Sequence, residues 1–255
     1  MAPVNTSLED FIGRKLGRFK NYKDKKGISV ITCTNRPHAL KNILDNFLRQ
    51  DFEEKELILI INKNIINANE WQNEISKYEN IRLYKLGESI PLGKCLNFGV
   101  KKSNYETIAR FDDDDYYGPK YLRDSVKLFD IEGVGLIGKH TIFVYFIKDK
   151  NLAIKDSGHE NEFLYFVNGA TMMFKKEIFK KVYFRHTSIS EDVLFCKDCT
   201  RNGIKIYSGN RHHFVYLRNP HSNSHTWKIS NEKLMELYCN PIGVVDDFKE
   251  YVDKL

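Results

Sequence analysis

Four consecutive aspartates, Asp112 to Asp115, follow a short apolar segment and precede a Gly-Pro pair. Neighbouring carboxylates repel one another, and Mg²⁺ or Mn²⁺ would neutralise them through oxygen ligands that such ions often share with substrate phosphates. On an extended segment Asp112 and Asp114 would point the same way and face one site. Acidic residues are also favourable at a helix start, so Asp115 could instead cap the helix that follows. The strand predicted just before the run favours the metal and nucleotide site.

Alternating strands and helices are predicted around this run. Four apolar segments begin near residues 28, 56, 81 and 107, about 25 residues apart, which is typical of successive βα units in a parallel sheet. Ligands bind at the carboxyl ends of such strands, where the aspartates stand. The predicted strands are 28–31, 56–61, 81–84 and 107–111, and the helices between them are 38–49, 71–78 and 92–101.

The pattern becomes mixed after residue 130. Strands are predicted at 134–138, 141–147 and 169–174, and helices at 176–182, 191–202, 231–238 and 245–255. This change predicts a nucleotide-binding half (27–118) and an acceptor-binding half (119–230) of one α/β domain. Residues 1–26 are predicted as an N-terminal extension, and 231–255 as a C-terminal helical extension.

Composition excludes several classes of protein. The chain has 255 residues, 42% of them hydrophobic, which is typical of a globular protein of one domain or of one domain with a small appendage. No apolar run approaches the ~20 residues of a membrane-spanning helix, and residues 1–10 carry no secretion signal. The formal charge of +6 suits an anionic ligand, but no nucleic-acid-binding signature is found. Gly-X-Gly-X-X-Gly and the phosphate-binding loop are absent, which argues against a dehydrogenase or a P-loop enzyme.

The five cysteines and the N-terminal segment indicate the compartment and a candidate contact surface. The cysteines are odd in number and scattered, which favours a cytoplasmic protein, and Cys196 and Cys199 are expected to pack inside a helix rather than bind zinc. Residues 7–20 predict a basic amphipathic helix. This helix would pack on the domain or, alternatively, contact a membrane surface or a partner.

Several segments, in this order, resemble glycosyltransferase family 2. They are 28–37 (ISVITCTNRP), 92–99 (LGKCLNFG), the Asp112-Asp113-Asp114 motif, 168–171 (NGAT) and the Glu191-Asp192 pair. The resemblance runs from about residue 28 to 227. It implies a GT-A fold, which is a Rossmann-like nucleotide-diphospho-sugar transferase with a mostly parallel central sheet flanked by helices. It also implies an inverting, metal-dependent transfer of a sugar, of the hexosyltransferase type, to an acceptor hydroxyl.

The same resemblance implies a role for individual residues. Asp192 would be the catalytic base and Glu191 its neighbour, although both could simply cap their helix. Asp112 and Asp114 would bind Mn²⁺ or Mg²⁺, with His225 as a late histidine ligand. Gly169, Ala170 and Trp227 would lie on the acceptor side. The donor would contact Thr32, Thr34, Asn35, Arg36, Asn62, Lys94, Asn97, Asp112 and Asp113.

Two departures from the family pattern concern the donor. Thr32-Cys33-Thr34 replaces a usual Pro-Thr-Tyr, and Asn62-Lys63-Asn64 replaces a common Asp-Asp-Gly whose acid reads the nucleobase. A UDP-sugar is favoured, although the Asn62 segment puts uridine specificity in doubt. The acceptor would be a carbohydrate, a lipid-linked molecule or a protein, in surface polysaccharide synthesis or protein glycosylation.

Two other functions are alternatives to a glycosyltransferase. A sugar-nucleotide nucleotidyltransferase would carry a glycine-rich basic loop after the first strand, which residues 32–37 lack. A non-catalytic module that only binds nucleotide sugars would not need Asp112, Asp114 and Asp192 together. The Asp192→Asn change would separate an enzyme from such a module.

Overall fold

The computed structural model describes residues 27–219 and 228–254. The predicted N-terminal helix at 7–20 lies outside the described residues. So do two predicted site residues, His225 and Trp227.

The first half of the domain alternates strands and helices as predicted. The elements are β1 (Ile28–Thr34), α1 (Leu40–Leu48), β2 (Lys55–Ile61), α2 (Ala68–Ile75), β3 (Ile81–Lys85), α3 (Leu92–Lys102) and β4 (Thr107–Arg110). The last six residues of β2 are all buried, because helices cover both faces of this part of the sheet. Helix α1 buries Leu40, Ile43 and Phe47, which recur at helical spacing.

The second half mixes short strands, helices and 3₁₀ turns. Its first elements are β5 (Tyr116–Tyr117), α4 (Tyr121–Val126), β6 (Val134–Gly138), β7 (Ile142–Phe146), β8 (Asn151–Lys155), β9 (Glu162–Leu164) and β10 (Met173–Lys175). They are followed by α5 (Glu191–Arg201), β11 (Lys205–Ser208), β12 (Phe214–Arg218), α6 (Asn231–Tyr238), β13 (Cys239–Val244) and α7 (Lys249–Val252).

Eight strands form the main sheet, in the order β3-β2-β1-β4-β10-β6-β11-β9. Strands β3, β2, β1 and β4 pair in parallel. β10 runs antiparallel to β4 and to β6, and β9 runs antiparallel to β11. Since β11 is parallel to β6, six of the eight strands point the same way. The prediction of a mostly parallel α/β sheet flanked by helices is therefore confirmed.

A second sheet, in the order β13-β8-β7-β12-β5, was not predicted. Its β7 and β8 form an antiparallel hairpin, and β12 joins β7 in parallel. The segment predicted as a C-terminal helical extension contributes β13, so that prediction is wrong in part. The register of β13 shifts between Pro241 and Gly243. Because proline and glycine are uncommon inside strands, the hydrophobic pattern did not predict β13. The predicted helix at 245–255 is reduced to α7.

Two more local predictions differ from the structure. The strand predicted at 169–174 is a 3₁₀ turn, Gly169–Thr171, followed by β10. This turn forms because the Asn168 side chain donates hydrogen bonds to the carbonyls of Lys139 and His140, at 2.8 Å each. The helix predicted at 176–182 is also a 3₁₀ turn, Lys176–Lys180.

The cysteine pair of α5 packs in the core, as expected. Cys196 and Cys199 are both buried and lie in an apolar cluster with Phe195. Burial raises the pKa of the Cys196 thiol to about 12, so this thiol stays neutral near pH 7.

The start of α3 lies directly against the segment that precedes α5. A Cβ atom at Gly93 would lie 1.9 Å from the Arg185 carbonyl oxygen, and the Gly93 amide donates to the Thr187 carbonyl at 3.0 Å. We therefore expect Gly93→Ala to lower the free energy of unfolding by about 1–3 kcal/mol, because the backbone must move apart. Urea denaturation measures this. Gly87→Ala is the matched control, since no atom lies within 4 Å of its Cβ position, and an equal loss in both variants would contradict the prediction.

Candidate active site

The four aspartates form a turn that leads from β4 into β5. The predicted extended segment is therefore wrong, but burial still alternates along the run. The side chains of Asp112 and Asp114 are 32% and 19% exposed, whereas Asp113 and Asp115 are buried. Asp112 and Asp114 are thus the two carboxylates of the turn that are open to solvent.

Asp113 joins the turn to the loop after β1. The Thr34 hydroxyl donates to one Asp113 carboxylate oxygen, and Arg36 pairs with the other. A second Arg36 nitrogen lies 2.8 Å from Asp114 Oδ2. Burial, and then the charge of Asp114, raise the pKa of Asp113 to about 7. Predicted donor residues Thr34, Arg36 and Asp113 therefore lie together.

Asp115 holds the turn against the second sheet. Its buried carboxylate accepts a hydrogen bond from the Leu217 amide at 3.2 Å, and its carbonyl oxygen accepts from the Asn42 and Asn46 side chains at 3.1 and 2.8 Å. Helix α4 begins only at Tyr121, and no side chain caps it. The interpretation of Asp115 as a helix cap is therefore wrong.

Arg110 connects the acidic turn to the start of α5. Its Nε atom lies 2.9 Å from Asp112 Oδ1, and its Nη1 atom lies 3.0 Å from Glu191 Oε1. Both Arg110 and Glu191 are buried. Burial raises the pKa of Glu191, and the charge of Arg110 opposes this rise. Glu191 is thus a buried partner of Arg110.

Asp192 stands next to the acceptor-side residues. A Cβ atom at Gly169 would lie 2.6 Å from Asp192 Oδ2, so only glycine permits this approach. Ala170 is linked to the acidic turn, because the Tyr117 hydroxyl donates to its carbonyl at 2.7 Å and accepts from the Asp112 amide at 2.8 Å. The acidic turn is therefore connected to Asp192 through the turn at 169–170. This connection involves Asp112, Gly169, Ala170 and Asp192.

Other predicted donor residues bond to the protein backbone, are buried in a strand or are exposed. The Asn97 side chain exchanges hydrogen bonds with the backbone of Phe184, at 2.8 and 3.0 Å, which docks α3 on that segment. Thr32 is buried in β1. Asn62 follows β2, where its side chain donates to the Gly87 carbonyl at 2.7 Å. Asn35 and Lys94 are exposed.

Three residues that hold the turn were not singled out from the sequence. They are Tyr117, Asn42 and Asn46. The spacing of Asn42 and Asn46 could have identified them. They are one helical turn apart, beside the apolar residues Ile43 and Phe47, so their two amide side chains share one face of α1.

The described residues contain no group of three or more His, Cys, Asp or Glu side chains that could hold a metal ion by itself. The chemistry of the turn still fits one. Asp112 and Asp114 offer carboxylate oxygens, and Mg²⁺ in particular is usually bound by one or two carboxylates with substrate phosphates and water.

Comparison with known proteins gives the family. The family model described as "Glycosyl transferase family 2" matches residues 29–188, which is more than half of the chain. The chain belongs to glycosyl transferase family 2. The match contains the β1 loop, the acidic turn and the turn at Gly169, and it ends just before Glu191 and Asp192.

Two curated proteins are similar to the chain in sequence. One is an O-antigen biosynthesis glycosyltransferase, WbnJ of Escherichia coli, which is 31% identical over 169 residues, or 60% of this chain and 63% of that protein. The other is a poly-beta-1,6-N-acetyl-D-glucosamine synthase of Staphylococcus epidermidis, 25% identical over 68% of this chain and 45% of that protein. The chain thus spans less than two thirds of the length of these relatives.

Solved structures share the GT-A fold. S. aureus TarS 1–349 in complex with UDP-GlcNAc has a TM-score of 0.63 and 17% identity, over 82% of this chain and 64% of that one. The mannosyltransferase PcManGT from Pyrobaculum calidifontis, in complex with GDP-Man and Mn²⁺, has a TM-score of 0.55 and 14% identity, over 75% and 56% of the two chains. In the part of this family 2 chain that the structure describes, no helix is long and apolar enough to cross a membrane.

Proposed function

We propose that this chain is an inverting glycosyltransferase that moves a sugar from a nucleotide-diphosphate sugar to an acceptor hydroxyl. The observation that carries the proposal is the Arg110 bridge. This side chain ties Asp112, at the predicted donor and metal site, to Glu191, the neighbour of the predicted base. The bridge supports the proposal because a displacement between two bound substrates requires the proposed donor and acceptor residues to be held at a fixed separation.

Asp192 is the better candidate for the base. Glu191 is buried and bonded to Arg110, so it cannot reach a hydroxyl without breaking an ion pair. Asp192 is only partly buried, and it lies against Gly169 on the acceptor side. Glu191 then acts through Arg110, by fixing the first turn of α5.

The reaction that these groups support is a single displacement. The acceptor oxygen attacks the anomeric carbon and forms the new glycosidic bond, while the bond from that carbon to the diphosphate oxygen breaks. The electron pair of the broken bond leaves with the nucleoside diphosphate, and Asp192 accepts the acceptor proton.

Asp112 and Asp114 would hold the divalent metal, Mn²⁺ or Mg²⁺. When bound, the ion supplies Lewis-acid stabilisation of the negative charge on the leaving diphosphate. Arg36 pairs with Asp114, and its positive charge also lies where a phosphate would be attracted. His225 remains a proposed further ligand.

The donor and acceptor are proposed from the relatives. A TarS structure holds UDP-GlcNAc, which favours a UDP-sugar for this chain too. The names of the two curated relatives favour synthesis of a surface polysaccharide over protein glycosylation. Such an enzyme would work in the cytoplasm, and residues 7–20 would provide any contact with a membrane surface.

A thermal-shift panel of nucleoside diphosphates, with and without Mn²⁺, tests the donor site. Ligand at 100 times its dissociation constant stabilises the folded state by about 2.7 kcal/mol, so UDP with Mn²⁺ should raise the melting temperature clearly. We expect Asp114→Asn to lose the part of the shift that depends on Mn²⁺. Asp149→Asn, an exposed change in the turn after β7, should keep it. If no nucleotide shifts the parent protein with any metal, the donor site is wrongly assigned.

A further inference from the structure

A groove lies along the exposed side of α5. Its first part is a cavity of about 480 Å³ lined by Tyr165, Phe166, Val193, Lys197, Thr200 and Arg201. A second cavity of about 370 Å³ shares Tyr165 and Thr200 and continues towards Lys205. These two cavities together are named the α5 groove.

Two residues that line the α5 groove are close in sequence to the proposed base and to its neighbour Gly169. Val193, in the groove wall, directly follows Asp192 in the first turn of α5. Phe166 also lines the groove, and it lies three residues before Gly169, which packs against the Asp192 carboxylate. A molecule whose hydroxyl is at Asp192 can therefore extend along the groove.

Exposed apolar side chains line the α5 groove. Tyr165 is 81% exposed, Phe163 is 50% exposed and Val193 is 47% exposed. Exposed apolar patches with a polar rim are typical of ligand grooves. The faces of aromatic rings pack well on the C–H faces of sugars, and the Tyr165 hydroxyl adds a polar group at the edge.

The rim of the groove is cationic. Val193, Lys197 and Arg201 are spaced four residues apart, so they share one face of α5. Lys205 Nζ lies 5.4 Å from the centre of the Phe163 ring. The neighbouring Asp198 is held at both oxygens by Arg185, at 2.8 and 2.9 Å, and its Oδ1 lies 3.6 Å from Arg201. Asp198 therefore offsets only part of this positive charge.

We propose that the α5 groove binds the acceptor, and that the acceptor is an acidic oligosaccharide. Its carboxylate or phosphate group lies against Lys197 and Arg201, whose ammonium and guanidinium groups bind such oxyanions. At ~1.5 Å of helix rise per residue, these side chains start ~7.5 and ~13.5 Å beyond Asp192. The acidic group is therefore on a sugar beyond the one that reacts. This position of the reacting end rests on the proposed function.

Binding of trigalacturonate and of its uncharged methyl ester tests the proposal. We expect the parent protein to bind the acid at least tenfold more tightly than the ester, and added salt to weaken binding of the acid alone. The double variant Lys197→Gln/Arg201→Gln should lose this preference while its affinity for UDP stays unchanged. The control Lys77→Gln/Lys101→Gln neutralises two exposed lysines outside the groove and should keep the preference. Phosphorylated maltotriose, compared with maltotriose, tells whether phosphate serves as well as carboxylate.

Three results would overturn the proposal. The parent protein could bind acid and ester equally, or the groove variant could keep the full preference. Alternatively, Lys197 and Arg201 could be needed for binding to phosphatidylglycerol vesicles and not for binding to trigalacturonate, in which case the groove contacts a membrane. If trigalacturonate binds through these residues but no sugar nucleotide is bound or turned over, the proposed function fails and the groove assignment stands.

Discussion

Asp192→Asn is expected to bind sugar nucleotide as the parent protein does, and to lose transfer by about 10² to 10⁴ in kcat. The amide cannot accept the proton of the acceptor hydroxyl, whereas the proposed metal ligands Asp112 and Asp114 and the proposed donor residue Arg36 are unchanged. Asn keeps the size of Asp, so its contact with Gly169 is preserved. Transfer is followed with a labelled sugar nucleotide, and binding with the thermal shift.

Two comparisons make this result specific. Asp149→Asn, far from the site in sequence and exposed, should keep full transfer. Glu191→Gln should reduce stability as well as transfer, because Glu191 is the buried partner of Arg110. Full transfer by Asp192→Asn would exclude this residue as the base and would move the assignment to Glu191.

Arg110→Met is expected to lower the free energy of unfolding by about 3–5 kcal/mol. The variant leaves the carboxylate of Glu191 buried with no cation beside it, while Asp112 is exposed enough to be hydrated. Urea or guanidinium denaturation near pH 7 measures the loss.

The double variant Arg110→Met/Glu191→Gln distinguishes two causes of the lost stability: the unpaired buried charge of Glu191 and the lost packing of Arg110. The neutral Gln side chain needs no cation, so we expect the double variant to be more stable than Arg110→Met alone. If it is less stable than the single variant, then the cost comes from packing and hydrogen bonding, and the Arg110–Glu191 ion pair is not the main cause. Both variants should transfer sugar slowly, because the acidic turn and α5 lose their connection.

The first half of the fold could be predicted because one of its strands, β2, is apolar on both faces and its strands are regularly spaced in the sequence. The run from Glu56 to Ile61 permits little except a buried strand, and its spacing from the neighbouring runs gives the parallel order. The second sheet could not be predicted in the same way. Its strands are short, β5 has two residues and β13 contains Pro241 and Gly243, so tertiary contacts decide their conformation.

The types of residue in the candidate site could be predicted from the sequence, but the ion pairs and hydrogen bonds between them could not. The acidic run and the Glu191-Asp192 pair could be recognised by composition and order. The different proposed roles of neighbouring acids depend on burial, which the sequence does not give. Asp113 and Glu191 are buried, whereas Asp114 and Asp192 are not. The role of Arg110 as a buried bridge between Asp112 and Glu191 is also not visible in the sequence.

The hydrogen bond from the Tyr116 hydroxyl to Asp253, at 2.6 Å, joins residues that are 137 positions apart. Asp115 and Leu217 are likewise separated by 102 positions. Contacts that close such long loops form slowly, because chain entropy is lost before the contact stabilises anything. We therefore expect the contacts of Asp115 and Tyr116 to form late in folding, and a chain that ends before β12 to leave the buried Asp115 carboxylate without the Leu217 amide.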